Sequence, residues 1–124
     1  MWTDIAIAFF GTLGCWARYT MTNLVQTVYG KAFPYATLSI NVGGSFLMGF
    51  LFIETLERLT ISPELRTGIL TGFIGGYTTF STFEMEIFLL VEQGEGPKAA
   101  LYLLLSVFLG FAAAFGGAYV ARNL

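Results

Sequence analysis

Four long apolar stretches, separated by three short polar turns, account for nearly the whole chain. They run from about residue 3 to 29, 35 to 56, 63 to 91 and 98 to 121. Each reaches the length of about 20 apolar residues that a helix needs to cross a bilayer. The pattern predicts an all-α membrane protein whose four transmembrane helices form one domain over residues 1–124. Gly30-Lys31-Ala32-Phe33-Pro34 and Gly94-Glu95-Gly96-Pro97 supply the turn residues. Between the second and third stretches, Glu54, Glu57, Arg58, Glu64 and Arg66 mark a solvated connection. Ser62-Pro63 then reads as an N-cap with proline at the first helical position.

The third stretch departs from this regularity. As one helix it would reach roughly 43 Å, ample for a crossing. Its centre, however, reads Gly72-Phe73-Ile74-Gly75-Gly76-Tyr77-Thr78-Thr79-Phe80-Ser81-Thr82-Phe83. Glycine is a poor helix former, and paired threonines can trade backbone hydrogen bonds for side-chain ones. A helix broken near the midplane over about residues 75–79 is expected, with a second half starting near Thr79 to Ser81. Ser81 and Glu84 have capping-box spacing for that restart. Phe80 and Phe83, three apart, share one face of it. In lipid, freed backbone is tolerated only where it is buried in protein or lines a polar cavity, so the break marks a candidate ion or substrate site.

Polar residues recur inside the other stretches. Arg18 stands 11 residues before Tyr29 (29 − 18), about 16 Å by helical rise. That is a long reach for snorkelling from a helix end. The other reading is a water-facing or interface role, since a mid-helix arginine costs roughly 2.5–3.5 kcal/mol to insert. In the second stretch Thr37, Asn41, Gly44, Ser45 and Met48 fall on one helix face. They either pack against a neighbour, with Asn41 bonded across, or line a polar path. The alignment of Thr37, Asn41 and Ser45 leans toward a lining. Gly43 and Gly49 offer further close helix contacts. In the fourth stretch Ser106, Gly110, Ala114 and Gly117 recur about once per turn, the rhythm of a tight helix–helix seam. Tyr102 and Ser106 could add hydroxyls to a path. Glu84 is read as a cap, and Glu86 as interfacial or as a pathway residue.

Composition narrows the chemistry. Hydrophobic residues make up 56% and charged ones 11%, too apolar for a soluble surface. The net charge of −2 and the lack of a basic cluster give no nucleic-acid partner. Histidine is absent and Cys15 is the single cysteine. A zinc site, a haem ligand, a Cys–His nucleophile and a histidine relay are thus excluded within one subunit. Cys15 reads as an inert packing residue. No nucleophile–base–oxyanion set can be named, so an enzyme is not expected. Leu13-Gly14-Cys15 superficially resembles a lipoprotein signal end. No Lys or Arg precedes it and Asp4 is acidic, so the N-terminus reads as uncleaved transmembrane sequence.

Four crossings would place Arg58, Arg66 and Arg122 on one side and Lys31 and Lys98 on the other. Three against two is almost no orientation signal. Such a chain could insert both ways, and two opposed copies would make an inverted-topology dimer. The broken helices would then meet on the two-fold axis at the midplane. Carbonyls ending one half would attract a cation, and N–H groups beginning the next would favour an anion.

Over essentially its whole length the chain resembles the Fluc (CrcB) fluoride channels. The resemblance rests on Gly11-Thr12-Leu13-Gly14-Cys15-Trp16-Ala17-Arg18-Tyr19, on Thr37-Leu38-Ser39-Ile40-Asn41-Val42-Gly43-Gly44-Ser45-Phe46, and above all on Gly72 to Phe83. Thr12, Cys15 and Ala36 replace small residues usual in the family, each small for small. The resemblance implies an antiparallel homodimer with two pores in the bacterial inner membrane, passively exporting fluoride. Phe80 and Phe83 would be the pore phenylalanines, Asn41 the pore amide, and Thr37, Tyr102, Ser106, Ser81 and Thr82 further polar contacts. Gly75 and Thr78 would offer backbone carbonyls to a structural Na⁺ shared by both subunits, and Arg18 would sit in a vestibule.

Two other readings compete. A small dual-topology multidrug or cation transporter would want a carboxylate in mid first helix, where this chain has Arg18 and only a terminal Asp4. A non-transporting assembly subunit leaves the Thr78-Thr79-Phe80-Ser81-Thr82-Phe83 run unexplained.

Overall fold

In the computed structural model, which describes Met1–Leu124, the chain is helical throughout apart from short turns. Helix α1 spans Trp2–Tyr29 and α2 spans Tyr35–Glu57. The third stretch is composite. It opens as α3 (Pro63–Thr67), widens into a π-helical stretch (Gly68–Ile74), and tightens into α4 (Gly75–Tyr77). After the break come α5 (Phe80–Glu92) and α6 (Gly96–Arg122). The turns are pinned by Gly30 and Gly94, whose φ of 75° and 77° suits glycine best. Ser62 caps α3 as expected, its hydroxyl accepting from Leu65 N–H (3.1 Å). Helix α6 begins two residues before the expected 98, because Gly96-Pro97 forms its first turn.

Only α2 and α6 are each long and apolar enough to cross a membrane by length and composition. The polar second half of α1 and the interruption of the third stretch keep those segments below that mark. Helices α2 and α6 form the tightest pair. A Cβ on Gly117 would stand 2.1 Å from the Phe46 carbonyl, and one on Gly49 would stand 2.1 Å from that of Ala114. The small-residue seam of the fourth stretch therefore packs on α2, and backbone approaches backbone. Gly43, by contrast, meets nothing within 4 Å. Helix α1 lies along the π-helical stretch and α4. There a Cβ on Gly14 would fall 2.2 Å from the Phe73 carbonyl.

The connection after α2 is less solvated than its charges suggest. Glu54 and Thr55 are buried, and Arg66 lies over the Phe52 ring (4.7 Å) while its Nε donates to Thr55 Oγ1 (2.9 Å). Arg58 pairs with Glu54 (3.8 Å) and reaches the Leu124 carbonyl, and Arg122 pairs with Glu57 (3.8 Å). A mixed-charge belt thus ties the ends of α2, α3 and α6 together.

Candidate functional site

The break is shorter than expected, starting three residues later, at Thr78, and ending at Thr79. Gly75 is still helical (φ −61°, ψ −37°). Only Thr78 (φ −81°, ψ 157°) and Thr79 (φ −148°, ψ 117°) are extended. The hydroxyl pair, rather than the glycine pair, ends the helix. Gly76 serves close packing instead, since its Cβ would stand 2.8 Å from the Gly11 carbonyl.

Breaking a helix frees donors and acceptors that must find partners. A continuous helix would direct Thr79 N–H at the Gly75 carbonyl. Here it donates to Asn41 Oδ1 (2.8 Å), and Asn41 Nδ2 donates back to the Thr79 carbonyl (2.9 Å). One amide side chain therefore satisfies both backbone groups of one residue. Thr82 N–H, the helical donor for the Thr78 carbonyl, donates instead to Thr79 Oγ1 (3.2 Å), which caps α5. Gly75 and Thr78 thus keep carbonyls whose helical donors have been diverted. The Gly76 carbonyl accepts from Arg18 Nε (3.1 Å), and Thr78 Oγ1 donates to the Ile74 carbonyl (3.0 Å).

Beside the break lies a groove of about 390 Å³. Asn41 and Ser45 reach it from α2, Phe80 and Phe83 from α5, and Ser106 from α6, with Thr78 and Thr79 between them. The two phenylalanine rings are 5.8 Å apart and tilted by 46°. Phe83 is 6% exposed and sets its ring against Tyr102 (5.1 Å, 75°), whereas Phe80 is 70% exposed. Ser106 Oγ is buried without a hydrogen-bond partner. Leaving such a hydroxyl unmet costs about 1–3 kcal/mol, so the groove wall holds an unsatisfied polar group.

Behind Phe83, Tyr102 is fully buried and its Oη donates to Glu86 Oε1 (2.9 Å). The Thr37 hydroxyl, also buried, lies against both groups. Glu86 in turn lines a second cavity of about 330 Å³, together with Gln26, Lys31 and Gln93.

The structure therefore gathers Asn41, Phe80, Phe83 and Ser106 in one groove, and places Thr37 and Tyr102 just behind it. Ser81 and Thr82 are exposed and line neither cavity. The expected Ser81–Glu84 capping box does not form. Thr79 is the cap, because the helix restarts at Phe80 and Ser81 already lies inside its first turn. Arg18 caps the end of α4 from the neighbouring α1, a contact 58 residues apart in sequence. Cys15 is exposed, with Sγ 3.3 Å from where a Gly76 Cβ would stand. Thr79 was missed as a site residue, though a threonine three positions before Thr82 is itself a capping signal. Met48 and Ile74, which add apolar wall to the groove, carried no signal beyond helical phase.

Residues 5–118 match the family described as CrcB-like protein, Camphor Resistance (CrcB). A relative from Acidithiobacillus ferrooxidans, named fluoride-specific ion channel FluC, is 60% identical over 117 residues, covering 94% of each chain. Proteins of the same name from Geobacter metallireducens and Geobacter sulfurreducens are 47% and 46% identical over the full length of both chains. With an all-helical fold, membrane-length apolar helices and this extent of likeness, the chain belongs to the CrcB family, whose relatives here are named as fluoride channels and not as enzymes.

Proposed function

We propose that this protein is a passive fluoride-selective channel exporting fluoride from the cytoplasm across the bacterial inner membrane. It works as an antiparallel homodimer of four-crossing subunits with two pores. The observation that carries the reading is the groove where Asn41, Phe83 and the unpartnered Ser106 hydroxyl converge beside the outward-facing Phe80.

Fluoride is small and strongly hydrated, so a pore must replace its water with donors. Asn41 spends one Nδ2 hydrogen on Thr79 and keeps a second. Ser106 supplies an O–H with no competing partner. Phenylalanine ring edges are positive and can face an anion where ring faces cannot. A narrow phenylalanine constriction would exclude larger halides by size and donor placement. The track carries no Lys or Arg between Asn41 and Ser106, which keeps binding weak enough for release.

Phe80 lines the groove yet stays exposed within one subunit, which favours a second copy completing the pore. The nearly balanced charges at the two ends favour opposed insertion. Ser81 and Thr82, exposed on the same half-helix, would meet that partner or the ion there. The donor set also fits the implied Na⁺. Gly75 and Thr78 are the carbonyls whose helical donors are diverted, and carbonyl oxygen suits a hard cation. Two such carbonyls from each subunit would hold it on the two-fold axis, where it would join the two copies. Arg18 would then brace the same helix end through Gly76, at the edge of the vestibule.

Fluoride efflux from liposomes holding only the purified protein, with chloride as control, tests the channel. Equal fluoride and chloride flux, or no fluoride flux, would overturn it. Crosslinks found only between parallel copies would remove the antiparallel dimer. Replacing Na⁺ by a larger cation should weaken the dimer or its fluoride flux, and no change in either would remove the cation site.

A further inference from the structure

Five of the six basic side chains are engaged within the chain. Arg18 holds the Gly76 carbonyl, Arg58 pairs with Glu54, Arg66 with Thr55, Lys98 with Glu95, and Arg122 with Glu57. Lys31 has no hydrogen bond or ion pair. Gly30, at φ 75°, turns the chain after α1 and leaves Lys31 on the wall of the second cavity. The same wall holds the amides of Gln26 and Gln93 and the carboxylate of Glu86.

Tyr102 stands as a partition between this cavity and the groove, touching a lining residue of each. Its ring meets Phe83, which lines the groove, and its hydroxyl meets Glu86, which lines the cavity. A carboxylate alone at that place would repel an anion. A free ammonium on the same cavity offsets it, and two amides add neutral donors.

We propose that the Lys31–Gln26–Gln93 cavity is an anion-collecting mouth that gathers fluoride ahead of the Glu86–Tyr102 partition, a role that rests on the channel reading above. Lys31 acts at range, raising the local concentration of the anion and leaving its passage past Phe83 unchanged. Its effect must therefore fade as salt screens it, because the Debye length falls from about 30 Å at 0.01 M to about 8 Å at 0.15 M.

The test uses purified dimer in liposomes, with efflux read by a fluoride electrode and normalised per dimer. Lys31→Gln should lower the initial rate about two- to fivefold at about 0.01 M ionic strength, less than the roughly tenfold or more of a whole surface field because a single charge is changed. At physiological ionic strength it should approach the unsubstituted protein. Lys31→Arg should match the unsubstituted rate, and Lys31→Glu should fall below Lys31→Gln. Arg122→Gln makes the same charge change at a side chain already paired with Glu57 and outside this cavity, and should leave the rate alone. The mouth is overturned if Lys31→Gln and Lys31→Glu match the unsubstituted protein at low salt. It is equally overturned if their deficit persists at high salt, or if Arg122→Gln loses as much. If the unsubstituted protein passes no fluoride in preference to chloride, the channel reading fails and the mouth falls with it. Normal selective efflux with indifferent Lys31 variants sinks the mouth alone.

Discussion

Replacing Asn41 by alanine should loosen the break before it affects anything else in the bundle. Asn41 makes two hydrogen bonds to Thr79, one in each direction, at 2.8 and 2.9 Å. Each such bond contributes about 0.5–1.5 kcal/mol net, and a buried group left without a partner costs about 1–3 kcal/mol. Two backbone groups are orphaned together. Thr79 borders the groove, however, so water can meet part of the loss. An expected destabilisation of about 2–4 kcal/mol follows from the lower part of those ranges. At roughly 3–4 °C per kcal/mol for a chain of this size, Tm should drop by about 6–16 °C. Thermal unfolding of the detergent-purified protein measures this. Ser45→Ala is the matched control, since Ser45 lines the same groove without bonding the break, and its Tm should stay within about 2 °C given the small effect of most substitutions away from such networks. If Asn41→Ala is equally mild, the break is held by packing alone and the clamp reading is wrong.

Three further outcomes are expected. Thr79→Val removes the cap of α5 and should cost about 0.5–2 kcal/mol, read as a lower Tm; Ser81→Ala should cost little, because Ser81 caps nothing. Gly117→Val should abolish recovery of folded protein, since its Cβ would enter the Phe46 carbonyl at 2.1 Å, whereas Gly43→Ala, with open space around it, should purify normally by gel filtration. Phe80→Ile and Phe83→Ile should each cut fluoride efflux sharply, but only Phe83→Ile should also lower Tm, because Phe83 is 6% and Phe80 70% exposed within the subunit; unchanged efflux in both would place them outside the pore.

Much of this molecule can be read in one dimension because helix formation and hydrophobic burial are local in sequence. The apolar stretches, the glycine–proline turns, the Ser62-Pro63 start and the interrupted third helix all follow from residue types at helical spacing. The seam of Ala114 and Gly117 was also legible, since only small residues let backbones touch, although its partner on α2 was not. Motif likeness then pointed to Asn41, Phe80, Phe83, Tyr102 and Ser106 as one set. The three-dimensional arrangement decided which of the freed groups meet. That Thr78 and Thr79, and not Gly75 and Gly76, leave the helix depends on an amide 38 residues away offering both a donor and an acceptor. That Arg18 ends on the Gly76 carbonyl depends on α1 lying along α4, which no local pattern encodes. The same holds for Ser81, whose capping spacing was genuine but was outbid by Thr79 two residues earlier. Sequence by itself determined where the chain is helical and apolar, because those preferences are summed residue by residue. Only tertiary structure decided how the break is satisfied, because its partners come from helices that meet only when the bundle closes.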